Sequence, residues 1–434
     1  MIGLDALLLF PLALKFVALF QSRSSVYQFA TEERFLVFPI ITLIVLGIYL
    51  GVSLGRRTTT NANTRLILVG LLGVFLVGSL LAIQIAVRQQ TRPYLFIHDG
   101  AVQTEDAIAA LRHGQNPYAI DYSHRTFGAF VDGFSEATRP NPAWTHYVYL
   151  PMQFVAGVPF AASSDRLFGW FDVRLMYALS FVIMSMAVLR LCQSRERKIL
   201  ATIFLFFNPI FAGFFVSGFN DVFFLGWIAL GALLLQRQKT LWAGFAFGAA
   251  FASKQSAWFL IPFYLGYLAF RASPGKRWQA VARQAWPALL VAVAVLAPFI
   301  VWSPPDFFDD IWQYPSGAAA LSYPISGMGL SQLLLSAGVI HSMWDYYPFW
   351  IIQAVVGIPL MVILLRWLKS KLTVSRMIAA YGIFSLALIF ISRYFNDSHL
   401  GALSVIFLIS FAADHQHDHD ARLESPAMDV SQST

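Results

Sequence analysis

The chain is poor in charge. Of its 434 residues, only 12% are Asp, Glu, Lys or Arg, where a soluble domain carries roughly 25%. It has one cysteine, Cys192, so an internal disulfide is excluded. It contains no Walker A, G-x-G-x-x-G, H-E-x-x-H or G-x-S-x-G pattern. ATP or sugar-nucleotide chemistry on a nucleotide-binding loop therefore has no visible home. Residues 2–20 lack a basic leader and an A-x-A-like cleavage site, and read as a retained span rather than a removed signal.

What the chain does have is grease. It is 58% hydrophobic, and apolar runs near span length recur throughout. Residues 66–87 carry no charge at all, enough to cross a hydrocarbon core of about 30 Å. The expectation is an all-α, polytopic membrane helix bundle. The net charge of +7 then reports topology, not nucleic-acid binding. Most of the 12 Trp and 16 Tyr mark interfaces, with a few free to stack on a sugar ring.

The apolar segments are 2–20, 35–54, 66–87, 147–162, 172–192, 199–218, 222–236, 241–253, 257–270, 286–303, 326–340, 347–368, 375–392 and 399–413. If all crossed, the basic loops would fall on both sides. Segment 147–162 is short and holds Pro151 and Pro159, and 326–340 is short and Gly-rich; both are expected to stay on the outer side. The basic loops around Arg56–Arg65, RLCQSRERK (190–198), RQK (237–239), RASPGKR (271–277) and RWLKSK (366–371) then all lie inside. About twelve crossings result, with both termini cytoplasmic. Residues 1–413 form one transmembrane domain with an outer loop at 88–171. The polar tail 414–434 is expected to be disordered; its HQHDHDA run (415–421) has metal-ligand residue types but no fixed frame.

This topology collects polar residues on the outer face. HDGAVQTEDAIAALRHGQNPYAIDY (98–122) predicts a helix of about 14 residues lying at the interface. Ala101, Thr104, Ile108 and Leu111 form its apolar stripe; Gln103, Asp106 and His113 lie opposite. Gly114 and Pro117 end it. Asp99 at its start is either an N-cap or a base, and Glu105 either a surface acid or a polar contact. Asn220 and Asp221 open another helix, where Asp221 is again a cap or a ligand. Lys254, beside Gln255 and Ser256, either snorkels or holds a phosphate. Arg393 and His399 sit at a helix boundary, suited to phosphate contact or to interfacial anchoring.

These residues resemble a known family. An outer loop with an Asp soon after a span, ALRHGQNPY (110–118) and YVYLPMQFVAGVPF (147–160) are similar to segments of the integral-membrane GT-C glycosyltransferases. AGFAFGAAFASKQSAWFLIPF (243–263) is similar to a helix pair of theirs. The nearest subgroup is the mannosyltransferase-like one that uses polyprenyl-phosphate sugars. The resemblance implies a GT-C bundle and transfer of a hexose, such as mannose, from a polyprenyl-phosphate donor to a lipid or glycan acceptor. It implies inversion at the outer face of the cell membrane, with no cofactor. Asp99 would be the general base, and Lys254, Arg393 and His399 would bind the donor phosphate. His98, Glu105, Tyr147, Asn220, Asp221 and Gln255 would contact substrate. His98 stands where an adjacent carboxylate is frequent, so the reaction is expected to be metal-independent. A transporter or flippase for a lipid-linked or polyol substrate is the main alternative, although it calls for mid-membrane polar residues and inverted repeats. A glycan polymerase or ligase is a third reading.

Overall fold

A computed structural model describes residues 3–22, 37–55, 59–90, 97–129 and 140–414. The tail and its HQHDHDA run lie outside the described residues. The described chain is a helix bundle; its two strands are two-residue pieces, paired in parallel as Ser326↔Tyr394 and Gly327↔Phe395.

Helices α1 (Leu4–Ser22), α2 (Val37–Leu54) and α3 (Thr59–Gly73) come first; α3 runs through a π turn, Val74–Gly78, into α4 (Ser79–Gln90). Next are α5 (Asp99–Arg112), α6 (Met152–Phe168), α7 (Arg174–Leu191), α8 (Arg195–Phe207) and the short α9 (Ala212–Ser217). Then come α10 (Asp221–Gln236), α11 (Thr240–Phe251), α12 (Ile261–Phe270) and α13 (Arg277–Trp302). The bundle closes with α14 (Phe349–Ser370), α15 (Val374–Ile391) and α16 (Asp397–Ala412). Helix α10 packs between α7 and α11, and α11 against α13.

Six described helices are long and apolar enough to cross a membrane: Val37–Leu54, Asn61–Gln90, Arg174–Leu191, Pro274–Trp302, Phe349–Ser370 and Val374–Ile391. That is fewer than the dozen crossings expected; α10, α11 and α16 are apolar but shorter. The segment expected as one span at 199–218 is cut by Asn208-Pro209, since a residue before proline avoids the helical region. The piece inside 326–340, Leu330–Ser336, has seven residues and is too short to cross.

Hydrogen bonds between turns sort them to two ends. At one end Arg271 hydrogen-bonds Gln238, Arg195 hydrogen-bonds Asn63 and Arg197 donates to the Phe411 carbonyl. The basic loops therefore gather there. At the other end lie the starts of α5, α10 and α16 and the turn after α11.

Helix α5 has the predicted length of 14 residues, and Gly114 behind it takes φ +72°, the left-handed region a C′ glycine tolerates. Its predicted open polar face is not there. Gln103 and Asp106 are buried along with Ala101, Thr104 and Ile108. Gln103 Nε2 donates to the carbonyls of Ala143 (2.8 Å) and His146 (2.7 Å), and Asp106 accepts the Phe127 N–H at 2.7 Å. Residues 115–129 and 140–150 thus fold over the face that helix periodicity alone leaves to solvent. Tyr118 anchors this cover, with its ring against Tyr147, Phe154, Phe299 and Phe307 and its hydroxyl donating to the Tyr149 carbonyl at 2.8 Å.

Candidate functional site

Four seams build a cleft at the end of the bundle away from the basic loops. The His98 N–H donates to the Ser217 carbonyl at 2.7 Å, which sets the start of α5 beside the turn into α10. Gly218 makes that turn at φ +96°, and a Cβ there would crowd Ala101 at 3.1 Å. The Met152 N–H donates to Ala252 (3.0 Å) and Gln255 Nε2 to Val148 (2.8 Å), joining residues 148–152 to the turn after α11. The Tyr147 N–H donates to Asp310 Oδ2 at 2.8 Å, joining the cover to a π turn at Asp309–Gln313. The two-residue strand pair joins the 326–327 loop to the corner before α16.

The cleft has a cavity volume of about 170 Å³. Six of the ten residues singled out from the sequence line it: His98, Asp99, Asn220, Asp221, Lys254 and His399. They come from four separate elements. His98, not Asp99, is the N-cap of α5: its Nδ1 accepts the Gly100 N–H at 3.1 Å. Asp99 is the first helical residue, its Oδ1 accepting the same N–H at 2.6 Å, and its side chain stays 38% exposed. Glycine at position 100 lets the Tyr149 hydroxyl approach the backbone closely, since a Cβ there would crowd it. The His98 ring packs on Phe219 at 3.7 Å. Burial pushes its pKa down, reinforced by Lys254 and opposed by Asp99 and Asp221.

Lys254 is not a bare cation. Its Nζ donates to Asp221 Oδ1 at 2.6 Å and Asn220 Oδ1 at 3.1 Å. Asn220 and Asp221 thus hold the lysine, and no side-chain cap bond forms on α10. His399 Nδ1 accepts the Asn396 N–H at 3.1 Å within a capping box, which leaves Nε2 as the donor of the neutral ring.

The other four lie off the cleft. Arg393 is 3% exposed, and its guanidinium donates to the carbonyls of Tyr323, Asp345 (2.7 Å) and Met343 (3.1 Å); it braces the loops that form one wall. Tyr147 is fully buried, its hydroxyl 3.2 Å from Thr104 Oγ1. Gln255 is committed to the Val148 carbonyl. Glu105 faces the back of α5, where Arg88 meets it at 2.6 and 2.9 Å and the Val173 N–H at 2.8 Å. There Arg88 also reaches Asp172 at 2.7 Å, and Asp172 pairs with Arg174 at 2.7 Å. Burial alone would raise the Asp172 carboxyl, but Arg174 and Arg88 hold it below the usual range; burial wins at Glu105, whose pKa rises.

Sequence reasoning missed the aromatic walls, Tyr149, Tyr314, Tyr323 and Tyr394, and His146 beside them. Tyr394, Asn396 and Ser398 lie between Arg393 and His399, the two residues singled out at that helix boundary. His146 stacks on Tyr314 at 4.5 Å. Among the described lining residues, Lys254 is the one Lys or Arg, against Asp99 and Asp221.

The described chain is an all-α, polytopic membrane helix bundle with a polar, aromatic-walled cleft at one end. Residues 107–270 match the family model described as alpha-(1->6)-mannopyranosyltransferase, N-terminal domain. The match supports a GT-C-type, mannosyltransferase-like membrane glycosyltransferase, and so the resemblance read from the sequence. It includes Asn220, Asp221 and Lys254 and begins just after the first turns of α5. No curated protein and no solved structure matches the chain.

Proposed function

We propose that the protein transfers a mannose, or a closely similar hexose, from a polyprenyl-phosphate donor to a lipid or glycan acceptor, with inversion, in this cleft. The observation that carries the reading is the convergence of Asp99, Lys254, Asn220, Asp221 and His399 in one cleft bordered by the family match. An inverting displacement needs a base for the acceptor hydroxyl and charge stabilisation for the departing phosphate. Asp99 is the exposed carboxylate of the cleft and takes the proton. Lys254 and the His399 Nε2–H face the developing phosphate charge, with Asp221 and Asn220 fixing the lysine. Tyrosine rings offer stacking surfaces for the sugar. Arg393, Tyr147 and Gln255 act through the loops they brace, and Glu105 through the back of α5.

We assign the cleft to the outer face of the cell membrane, with both termini cytoplasmic. The support is that the basic loops collect at the end of the bundle away from the cleft, and basic loops remain cytoplasmic.

The test is Asp99→Asn in detergent or nanodiscs, supplied with polyprenyl-phosphate mannose and a mannosyl acceptor. Turnover is expected to fall about 10²- to 10⁴-fold with an unchanged melting temperature, and the wild-type product to carry the anomer opposite to the donor's. Wild-type turnover in a folded Asp99→Asn protein removes Asp99 as the base.

A further inference from the structure

Beside the cleft, His146, Asp309 and Asp310 bring three ligand atoms within 4.8 Å of one another. His146 belongs to the cover that Gln103 ties to α5, and its ring lines the cleft. The two carboxylates come from the π turn at Asp309–Gln313, a kind of backbone irregularity that recurs at functional sites. Asp310 is 2% exposed and His146 6%.

The hydrogen bonds around the imidazole are the second observation. His146 Nδ1 lies 2.7 Å from the Pro142 carbonyl oxygen, an acceptor only, so Nδ1 carries the hydrogen. That bond turns Nε2 toward Asp309 Oδ2 at 3.1 Å. A metal-ligating histidine is typically fixed in this way, its other nitrogen donating to a backbone carbonyl. Two ligands at about 2.1 Å from one ion, at a right or tetrahedral angle, stand roughly 3.0–3.4 Å apart, which brackets the observed separation. Among the described residues no Lys or Arg forms an ion pair with Asp309 or Asp310.

We infer that His146, Asp309 and Asp310 bind a divalent cation at the rim of the cleft. One imidazole and two carboxylates suit a borderline ion of the Mn²⁺ or Zn²⁺ kind. Three protein ligands leave coordination positions open, so the ion can also take a phosphate oxygen. That role rests on the transferase reading; the binding itself does not. It would answer a shortage in the cleft, where Lys254 is already paired with Asp221, and it departs from the metal-independent reaction expected from the sequence.

Mn²⁺ is the probe. The wild-type protein in detergent is titrated with MnCl₂, and bound ion is read as loss of the free-Mn²⁺ paramagnetic resonance signal. One ion per chain is expected, together with a rise in melting temperature on adding Mn²⁺. His146→Gln and Asp309→Asn should each weaken uptake at least tenfold and abolish the thermal rise, while Asp306→Asn, a neighbouring acid outside the cluster, should leave both unchanged. Asp309 is 38% exposed, so its variant is expected to fold. A wild-type chain that leaves the signal free, or equal uptake by wild type and Asp309→Asn, overturns the inference. Intact uptake in a folded Asp99→Asn protein that has kept full turnover would sink the base assignment and leave the metal site standing.

Discussion

Helix α5 carries charge on two faces, and the faces differ. Behind it, Arg88, Arg174, Glu105 and Asp172 form a closed set of two cations and two anions, with Arg174 and Asp172 completely buried. In front, Asp99 is partly exposed, Lys254 answers Asp221, and the cleft is left with an acidic excess. Charges that satisfy each other out of water hold a structure together. Charges that remain short of partners, at an open surface, are available to a substrate. Residue type does not separate the two: Glu105 and Asp99 are both acids on one helix, six positions apart, and only their partners tell them apart.

The largest expected effect comes from breaking the closed face. Asp172→Asn strips two buried guanidiniums of a counter-charge and should cost about 3–5 kcal/mol, read as a lower melting temperature in detergent. Because the Asp172 carboxyl is lowered in the folded state, its stabilisation is complete above the ordinary carboxylate range. It is lost as pH falls below that range toward the folded value of about 2; the variant should lack this acid-sensitive component. Asp99→Asn should leave the melt unmoved. The reverse ranking would erase the contrast between the faces.

Arg393 sharpens it from outside α5. Sequence type points it at a phosphate, whereas its three carbonyl partners make it a brace. Arg393→Gln should lower stability by about 1–3 kcal/mol, with little change in the KM for the donor. A large rise in KM at unchanged melting temperature would return it to the phosphate.

Next in size is the Lys254–Asp221 pair. In a double-mutant cycle of Lys254→Met and Asp221→Asn, the two should couple by about 0.5–3 kcal/mol in stability, so the double variant melts closer to wild type than the singles' sum. Turnover should not recover with it, because the cation is then missing from the cleft. Recovery of both would move the pair to the structural face.

How much of this was legible depended on the range of the interaction. Local grammar carried α5: its length, Gly114 and Pro117 follow from neighbours in sequence. The membrane bundle followed from apolar runs, and the cleft's membership from polar residues at the expected outer turns. The burial of Gln103 and Asp106 was not legible, because the segment that covers them begins past the helix and has no periodicity of its own. Nor was the role of Arg393, whose partners lie at Tyr323, Met343 and Asp345, or of Glu105, whose partner Arg88 precedes it by a whole turn of the chain. The broken segment at 199–218 was readable in Asn208-Pro209, where hydropathy drowned a proline.

The smallest effect tests whether the helix that joins the two faces can be disturbed without favouring either. Gly114 takes φ +72°, and a Cβ there would meet nothing within 4 Å. Gly114→Ala therefore introduces left-handed backbone strain and no collision, a cost of roughly 1–2 kcal/mol; Gly114→Asn should cost less, since asparagine visits this region more readily. Neither face of α5 touches the substituted atom, so turnover per folded molecule should match wild type while the melting temperature falls slightly. A drop in turnover without a drop in melting temperature would mean that the end of α5 moves during transfer. The distinction would then lie between a fixed face and a mobile one, and not between a paired face and an open one.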